Sequence, residues 1–270
     1  MKEAKLVDLI EGALEVSNFA SNKVLEIYQS EGHNVKSKQD GSPVTEADIA
    51  SHQILTSGLT KLDKTIPILS EEGNASPMHD QNLFWLIDPL DGTKEFINKN
   101  GEFTVNIALI EHGSPILGIV FSPAVEENFY GAIGLGSFKV NGQERTKIFP
   151  TKQTKDECRV TLSKSHKSKD DEWFINECKK NFGTVHEIPT GSSLKLCRVA
   201  EGKADIYSRL GPTYQWDIAA GQAVVESAGG VVNDLSGIPL TYKFDPELKN
   251  PYFYCSGDRE FHWLEIFEKN

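Results

Sequence analysis

Two aspartates at the end of an apolar run are the residues of this chain best suited to catalysis. They are Asp88 and Asp91, in Trp85-Leu86-Ile87-Asp88-Pro89-Leu90-Asp91-Gly92-Thr93-Lys94-Glu95-Phe96. The apolar run reads as a strand, and Pro89 is expected to stop sheet pairing at that point. A tight loop closing on Gly-Thr can aim both carboxylates into one small volume. Carboxylates that close repel each other, and they stay ionised together only with a cation between them. Oxygen ligands without Cys or His suit Mg2+ rather than zinc. The Leu90 carbonyl, between the two aspartates, can supply a further oxygen. A second reading stays open, in which the loop is solvated and Asp91 caps a helix beginning near Thr93.

Other acids stand at suggestive places. Ser70-Glu71-Glu72-Gly73 closes a preceding strand, where either glutamate could equally be solvated. Asp217, in Gln215-Trp216-Asp217-Ile218-Ala219-Ala220-Gly221, opens an apolar helix, a place where aspartate also serves as a cap or dipole partner. Taken alone, neither establishes a metal site.

The surrounding elements follow from periodicity. Leu6, Ile10, Ala13, Leu14, Val24 and Ile27 recur at helical spacing, so a long amphipathic helix is expected over 2–30. A second helix is expected to start at Thr45 as N-cap, with Asp48 closing a capping box, and to run to about Gly58. Strands are expected at 66–70, 84–88, 103–110, 116–121 and 128–132, with a turn at His112-Gly113, forming an antiparallel sheet. A boundary is expected near Pro150-Thr151-Lys152-Gln153, dividing a metal-binding half (1–153) from a second half (154–270). In that second half, strands at 159–162, 185–188 and 204–207 alternate with helical stretches near 170–181, 192–201 and 217–228, the pattern of an α/β layer. A site is expected in the cleft between the halves.

Composition sets the limits. With 270 residues, 39% hydrophobic and 25% charged, the chain has enough apolar material for one large or two modest folded domains. A formal net charge of −11 disfavours an extended nucleic-acid footprint. It leaves room for a small anionic substrate where metal ions and a few cations invert the field inside a cleft. Cys158, Cys178, Cys197 and Cys255 are too widely spaced for a zinc site and are expected to be buried free thiols. Residues 1–30 interleave charge with apolar residues, unlike a signal peptide. No apolar run is long enough to span a bilayer. The cytoplasm is therefore the expected compartment.

Taken together, the motifs resemble the inositol monophosphatase-like superfamily of lithium-sensitive, magnesium-dependent phosphatases. The resemblance covers nearly the whole chain. It rests on Gly41-Ser42-Pro43-Val44-Thr45, Ser70-Glu71-Glu72, Asp88-Pro89-Leu90-Asp91-Gly92-Thr93, Asn100-Gly101-Glu102-Phe103-Thr104-Val105-Asn106, Gly191-Ser192-Ser193-Leu194-Lys195 and the Trp216-Asp217 helix. Lys94-Glu95-Phe96 after Gly-Thr, where inositol monophosphatases usually carry Thr-Asn, resembles the bacterial 3′(2′),5′-bisphosphate nucleotidases within that superfamily, as does Gly191 to Lys195. The fold implied is a layered αβαβα sandwich of the sugar-phosphatase type, mixing α+β and α/β character. The resemblance also implies two or three Mg2+ ions. Glu71, Asp88 and the Leu90 carbonyl would hold the first, and Asp88, Asp91 and Asp217 the second. Glu71 would reach a third through water.

The implied reaction converts adenosine 3′,5′-bisphosphate to AMP and phosphate, recycling a by-product of sulfur assimilation. The 3′-phosphate would lie between the metals and the Gly92 and Thr93 amides, with Lys94 and Asp217 also at the substrate. Thr93 would activate water, its proton drawn toward Asp48, with Glu71 as a second orienting group. Asp48 has a competing reading as a capping residue alone. Amides and hydroxyls at Gly191, Ser192 and Ser193, with Lys195 one turn in, suit a phosphate; the same string also reads as an ordinary helix cap with a solvated lysine. Lys195 and Arg209 are candidates for the second phosphate, with surface charge as the alternative for Arg209. His166 resembles the residue facing the adenine, or is a lone exposed histidine, and Thr213 could approach the ribose. Rival readings are a phosphatase of inositol phosphates or other sugar phosphates, and a silent binder of phosphorylated metabolites. The expected assembly is a monomer or homodimer, and the resemblance adds peripheral association with the inner membrane to the cytoplasmic expectation.

Overall fold

A computed structural model describes residues 3–30, 35–37, 43–78, 81–164 and 168–267. Gly41, Ser42 and His166 lie outside the described residues.

Helix α1 spans Glu3–Gln29 and buries Leu6, Leu9, Ile10, Ala13, Ala20 and Val24 along one face. Strands β1 (Val35–Ser37) and β2 (Pro43–Thr45) pair antiparallel and lead into α2 (Glu46–Leu62). The capping box expected of Thr45 and Asp48 is present. The helix runs a turn past Gly58 because that glycine is a contact, not a stop. A Cβ there would lie 2.6 Å from Val16 Cγ2 on α1.

The first sheet holds β3 (Ile68–Ser70), β4 (Leu83–Asp91), β5 (Thr104–Glu111), β6 (Ser114–Ser122), β7 (Glu127–Ala132), β8 (Gly136–Asn141) and β9 (Glu144–Ile148) in that order. β3 runs parallel to β4, and the rest form an antiparallel meander. The β5–β6 turn at His112 and Gly113 has φ of 50° and 81°, the two left-handed residues a tight hairpin needs. β8 and β9 were not anticipated. β9 is a charged, mostly exposed edge strand, so it lacks the apolar alternation that marks a strand in sequence. Pro89 does not end β4 as expected. Pairing with β5 continues to Asp91 through a register shift between Asp88 and Asp91, a bulge that spares the proline a ladder hydrogen bond.

Helix α3 (Thr93–Ile97) follows β4. The second sheet consists of β10 (Glu157–Ser163), β11 (Thr184–Thr190), β12 (Ile206–Arg209), β13 (Val231–Asp234) and β14 (Phe253–Ser256) in the order β11-β10-β12-β14-β13. β10, β11 and β12 are parallel, and β14 runs antiparallel to both its neighbours. The helices of this half are α4 (Lys169–Asn181), α5 (Leu194–Ala200), α6 (Gln215–Ala228) and α7 (Leu264–Phe267). The short elements β13, β14 and α7 were not anticipated, being too brief for a period to register.

Three apolar cores define the layers. One lies between α1, α2 and the first sheet, a second between the two sheets around α5 and α6, and a third between the second sheet, α4 and α7. This is the expected αβαβα sandwich. Helix α6 lies against bare backbone, since a Cβ on Gly118 would fall 2.1 Å from the Ala220 carbonyl oxygen. That close approach helps fix the start of α6, and with it Asp217, over the end of the first sheet. All four cysteines are buried free thiols, as expected. Among the described residues no helix is long and apolar enough to cross a membrane.

Candidate active site

The site forms where β4 bulges. Asp88 is buried, and its Oδ1 accepts the Leu90 N–H at 3.0 Å, closing the turn through a side chain. The Pro89 carbonyl accepts the Ser51 hydroxyl of α2 at 2.7 Å. Gly92, with φ of 88°, turns the chain into α3 at a conformation that suits glycine. Gly92 is the N-cap and makes no side-chain cap bond, so Asp91 does not cap the helix. Its carboxylate reaches across the cleft instead. Asp91 Oδ2 lies 2.5 Å from Ser192 Oγ and 2.9 Å from Ser193 Oγ, hydroxyls that can both donate to it.

The other acids come from separate elements. Glu71 follows β3, and its N–H donates to the Ile87 carbonyl at 3.2 Å, which sets it beside Asp88. Asp217 is the third residue of α6, where Oδ2 accepts the Tyr214 N–H at 2.9 Å. The expected capping role of Asp217 and its convergence with the other acids therefore coexist. Burial pushes the Asp88 carboxyl well above the usual range, and Glu71, Asp91 and Asp217 push it further. Enclosure by protein, then Asp91 and Glu71, do the same to Asp217. The four acids are thus within electrostatic reach of one another. Among the described residues they are not gathered into a closed metal cage of three or more acidic, His or Cys side chains.

The donor set nevertheless suits a hard divalent cation. The converging carboxylates supply oxygen alone, and the buried Asn106 Oδ1, opposite Asp88 in the sheet, has no hydrogen-bond partner. A cation among these groups would remove the repulsion that raises Asp88 and Asp217.

Asp48 reconciles its two readings by using two oxygens. Oδ2 accepts the Thr45 N–H at 2.7 Å and the Thr45 hydroxyl at 2.6 Å, completing the cap. Oδ1 lies 3.3 Å from the Thr93 hydroxyl, which also points toward the Leu90 carbonyl at 3.4 Å. The buried capping box thereby holds a carboxylate against Thr93.

A cleft of about 290 Å3 opens beside these residues, lined by Asp91, Lys94, Lys195, Arg209, Thr213 and Asp217 among others. Lys195 is buried rather than solvated. Its ammonium donates to the Ser192 carbonyl at 2.7 Å, and desolvation lowers its pKa. Arg209 is the last residue of β12, and its Nε is buried without a partner. Thr213 Oγ1 accepts the Asn250 side-chain amide at 3.1 Å. The Gly191 N–H donates to Glu102 Oε2 at 2.6 Å. The hydroxyls of Ser192 and Ser193, expected to be free for a phosphate, are engaged by Asp91, and Ser193 makes no side-chain cap to α5. The reason is position: the start of α5 lies over the ends of β4 and β5.

Residues that the sequence alone did not single out are Glu102, Thr104 and Asn106. They were visible only as a string of uncertain role, since the register placing Asn106 opposite Asp88 and Thr104 opposite Asp91 is a tertiary fact.

Known proteins share this chain's sequence and fold. Residues 5–252 match the model of the inositol monophosphatase family. A curated relative from Shigella flexneri, the 3′(2′),5′-bisphosphate nucleotidase CysQ, is 41% identical over 252 residues, covering 92% of this chain and 99% of that protein. Its namesake from Escherichia coli (strain K12) is 41% identical over 254 residues with the same coverage. The crystal structure of CysQ from Bacteroides thetaiotaomicron superposes with a TM-score of 0.81 at 36% identity, covering 93% of this chain and 97% of that one. Enzymes of this family are metal-dependent, typically on Mg2+. The chain belongs to the inositol monophosphatase family.

Proposed function

We propose that the chain is a Mg2+-dependent 3′(2′),5′-bisphosphate nucleotidase that releases phosphate from adenosine 3′,5′-bisphosphate and leaves AMP. The observation that carries this reading is one cleft holding two kinds of group. Of its lining, Asp91 and Asp217 belong to the acidic cluster, and Lys195 and Arg209 are cations suited to a second phosphate. The nucleotidase relatives, similar over nearly their full length, support the nucleotide over a simpler monophosphate.

Glu71, Asp88, Asp91, Asp217 and the Leu90 carbonyl would hold two or three Mg2+ ions, which when bound offset phosphate charge and acidify water. The 3′-phosphate is placed over the Gly92–Thr93 turn, with Lys94 at the exposed rim. Thr93 Oγ1 accepts a proton from the attacking water as its own proton passes to Asp48 Oδ1. Asp48 can take that role without moving, because Oδ2 is fixed by Thr45. Glu71, beside Asp88, is the second group that orients the water. Lys195 and Arg209 hold the 5′-phosphate, and the unpartnered Arg209 Nε supplies a donor not spent on protein. Thr213 would contact the ribose, and a role for His166 at the base rests on the resemblance alone.

The test is phosphate release from adenosine 3′,5′-bisphosphate and from inositol 1-phosphate, each with Mg2+ and with chelator. The nucleotide is expected to be preferred in kcat/KM by about tenfold or more, in line with loss of a charged contact. Equal or reversed preference would reject the nucleotidase while keeping a phosphatase. Absence of Mg2+-dependent release from both would reject the enzyme.

A further inference from the structure

Asp91 sits in the first half of the chain but is held from the second. Ser192 Oγ and Ser193 Oγ approach the same oxygen, Oδ2, at 2.5 and 2.9 Å. Behind each serine stands a residue of β5. Thr104 Oγ1 lies 2.6 Å from Ser192 Oγ, and Asn106 Nδ2 donates to Ser193 Oγ at 2.8 Å. Thr104 and Asn106 are buried and do not line the substrate cleft, whereas Ser192 and Ser193 do.

The direction of the protons follows from chemistry. A carboxylate only accepts. Ser192 spends its single proton on Asp91, so its lone pair must accept from Thr104. Ser193 accepts from the Asn106 amide, and its own proton faces Asp91 Oδ2 and the Asp217 carbonyl, each at 2.9 Å. Both chains end on Oδ2 and leave Oδ1 uncommitted to either serine. The Ser193 hydroxyl thus faces the Asp91 carboxylate from the first half and the Asp217 backbone carbonyl from the second.

We infer that Thr104–Ser192 and Asn106–Ser193 are two hydrogen-bonded props that set the orientation of Asp91. Through these contacts the four act as positioning residues for the cation site. The inference rests on the metal-dependent reading above. Partners that orient a ligating group typically govern metal affinity as well as geometry.

The test measures Mg2+ affinity by titration calorimetry without substrate, so its readout does not depend on activity. Ser192→Ala and Ser193→Ala are expected to weaken Mg2+ binding by about tenfold or more. Thr104→Val keeps the shape and removes the hydroxyl, so it should weaken binding by about three- to tenfold. Thr104→Ser keeps the hydroxyl and should restore the affinity. Thr104→Val combined with Ser192→Ala should bind Mg2+ no worse than Ser192→Ala alone, because Thr104 acts through that serine. At saturating Mg2+, the KM for the nucleotide should be unchanged in Thr104→Val, because Thr104 does not line the cleft.

Unchanged Mg2+ affinity in the serine variants would overturn the inference. Thr104→Ser as damaging as Thr104→Val would also overturn it, reducing Thr104 to packing. Should a serine variant not fold, the Thr104 pair decides alone. Failure of the proposed function shows elsewhere, in a wild-type protein that binds Mg2+ yet releases no phosphate from adenosine 3′,5′-bisphosphate.

Discussion

Two clusters of charge fasten α5 to the first sheet, one at each end of the helix, and they are built on opposite principles. At the far end, Glu127 of β7 meets Arg198 of α5, Lys139 of β8 at 2.7 Å and Lys203 at 3.6 Å. Glu201 joins them through Arg198 at 2.6 Å and Lys203 at 3.1 Å. Every acid there has cations, and although burial alone would raise it, the bonds from Arg198 and Lys139 bring the Glu127 carboxyl down to about 2. At the near end, Asp88, Asp91, Glu71 and Asp217 are brought together with like charge as their neighbours, and Asp88 and Asp217 are pushed up. The balanced cluster stabilises the fold as it stands. The unbalanced one stores a cost that a divalent cation can relieve, which is the mark of a binding site rather than of a structural network.

Removing one charge from the unbalanced cluster gives the largest expected effect. Asp88→Asn should lower turnover on the order of 10³-fold or more, as expected when a metal ligand is lost from a metal-dependent centre. Its stability should move the other way. The folded Asp88 pKa is raised above its unfolded value of 3.8, so its contribution is present below that value and lost as pH rises through the folded pKa. At neutral pH the chelated wild type therefore carries a penalty that the asparagine lacks, and Asp88→Asn should melt higher without metal. Melting both proteins in chelator across pH 4 to 8 checks this, and an equal or lower Tm for the variant would refute stored repulsion. Mg2+ should close the gap. At about 100 times its dissociation constant a ligand adds about 2.7 kcal/mol, roughly 5–10 °C for a chain of this size. A wild type whose Tm ignores Mg2+ would break the contrast between the clusters.

Asp48 sharpens the comparison, since it is an acid at the near end that does have donors. Asp48→Asn should reduce turnover by about 10²-fold through the loss of the proton acceptor. Because Oδ2 completes the buried cap, the same change should also cost about 1 kcal/mol of stability. Turnover within a few fold of wild type would end the Thr93–Asp48 role. Lys195 stands where the two clusters' logic meets, a buried cation facing the acids. Lys195→Ala should reduce kcat/KM for adenosine 3′,5′-bisphosphate by about 10- to 100-fold, the range for a charged hydrogen bond, with a much smaller loss on a monophosphate. Equal losses on both substrates would remove Lys195 from the second phosphate.

The near cluster was largely legible in the sequence, and the far one was not. Asp88 and Asp91 stand out locally, as paired acids at a strand end before Gly-Thr, whereas Glu71 and Asp217 read equally as a solvated acid and a helix cap and joined them only through the family resemblance. Thr45 with Asp48 is a four-residue signal, readable without tertiary knowledge. Glu127, Lys139, Arg198 and Glu201 carry no such signal, being ordinary charges on four stretches that meet only once the sheets are stacked. The same limit hid Thr104 and Asn106, whose importance is a register. It also misplaced the end of β4, because Pro89 blocks a ladder bond but does not forbid a bulge. Strand β9, with four charged or polar residues in five, could not announce itself by hydrophobic alternation.

Glu127 offers the smallest effect and the cleanest sign. Its folded pKa of about 2 lies below the ordinary glutamate value of 4.5, so its stabilisation is full above 4.5 and fades as pH falls toward 2. An unscreened shift of that size corresponds to roughly 3 kcal/mol. The side chain still reaches solvent, and screening brings the expected contribution to about 1–2 kcal/mol. Glu127→Gln should therefore lower Tm by a few degrees at pH 7 and flatten the acid limb of the stability curve between pH 4.5 and 2. Mg2+ affinity should be untouched, because the change lies at the far end of α5. A loss of Mg2+ binding in this variant would mean that the two ends of the helix are coupled, and that the balanced cluster holds the start of α5, and with it Ser193, against Asp91.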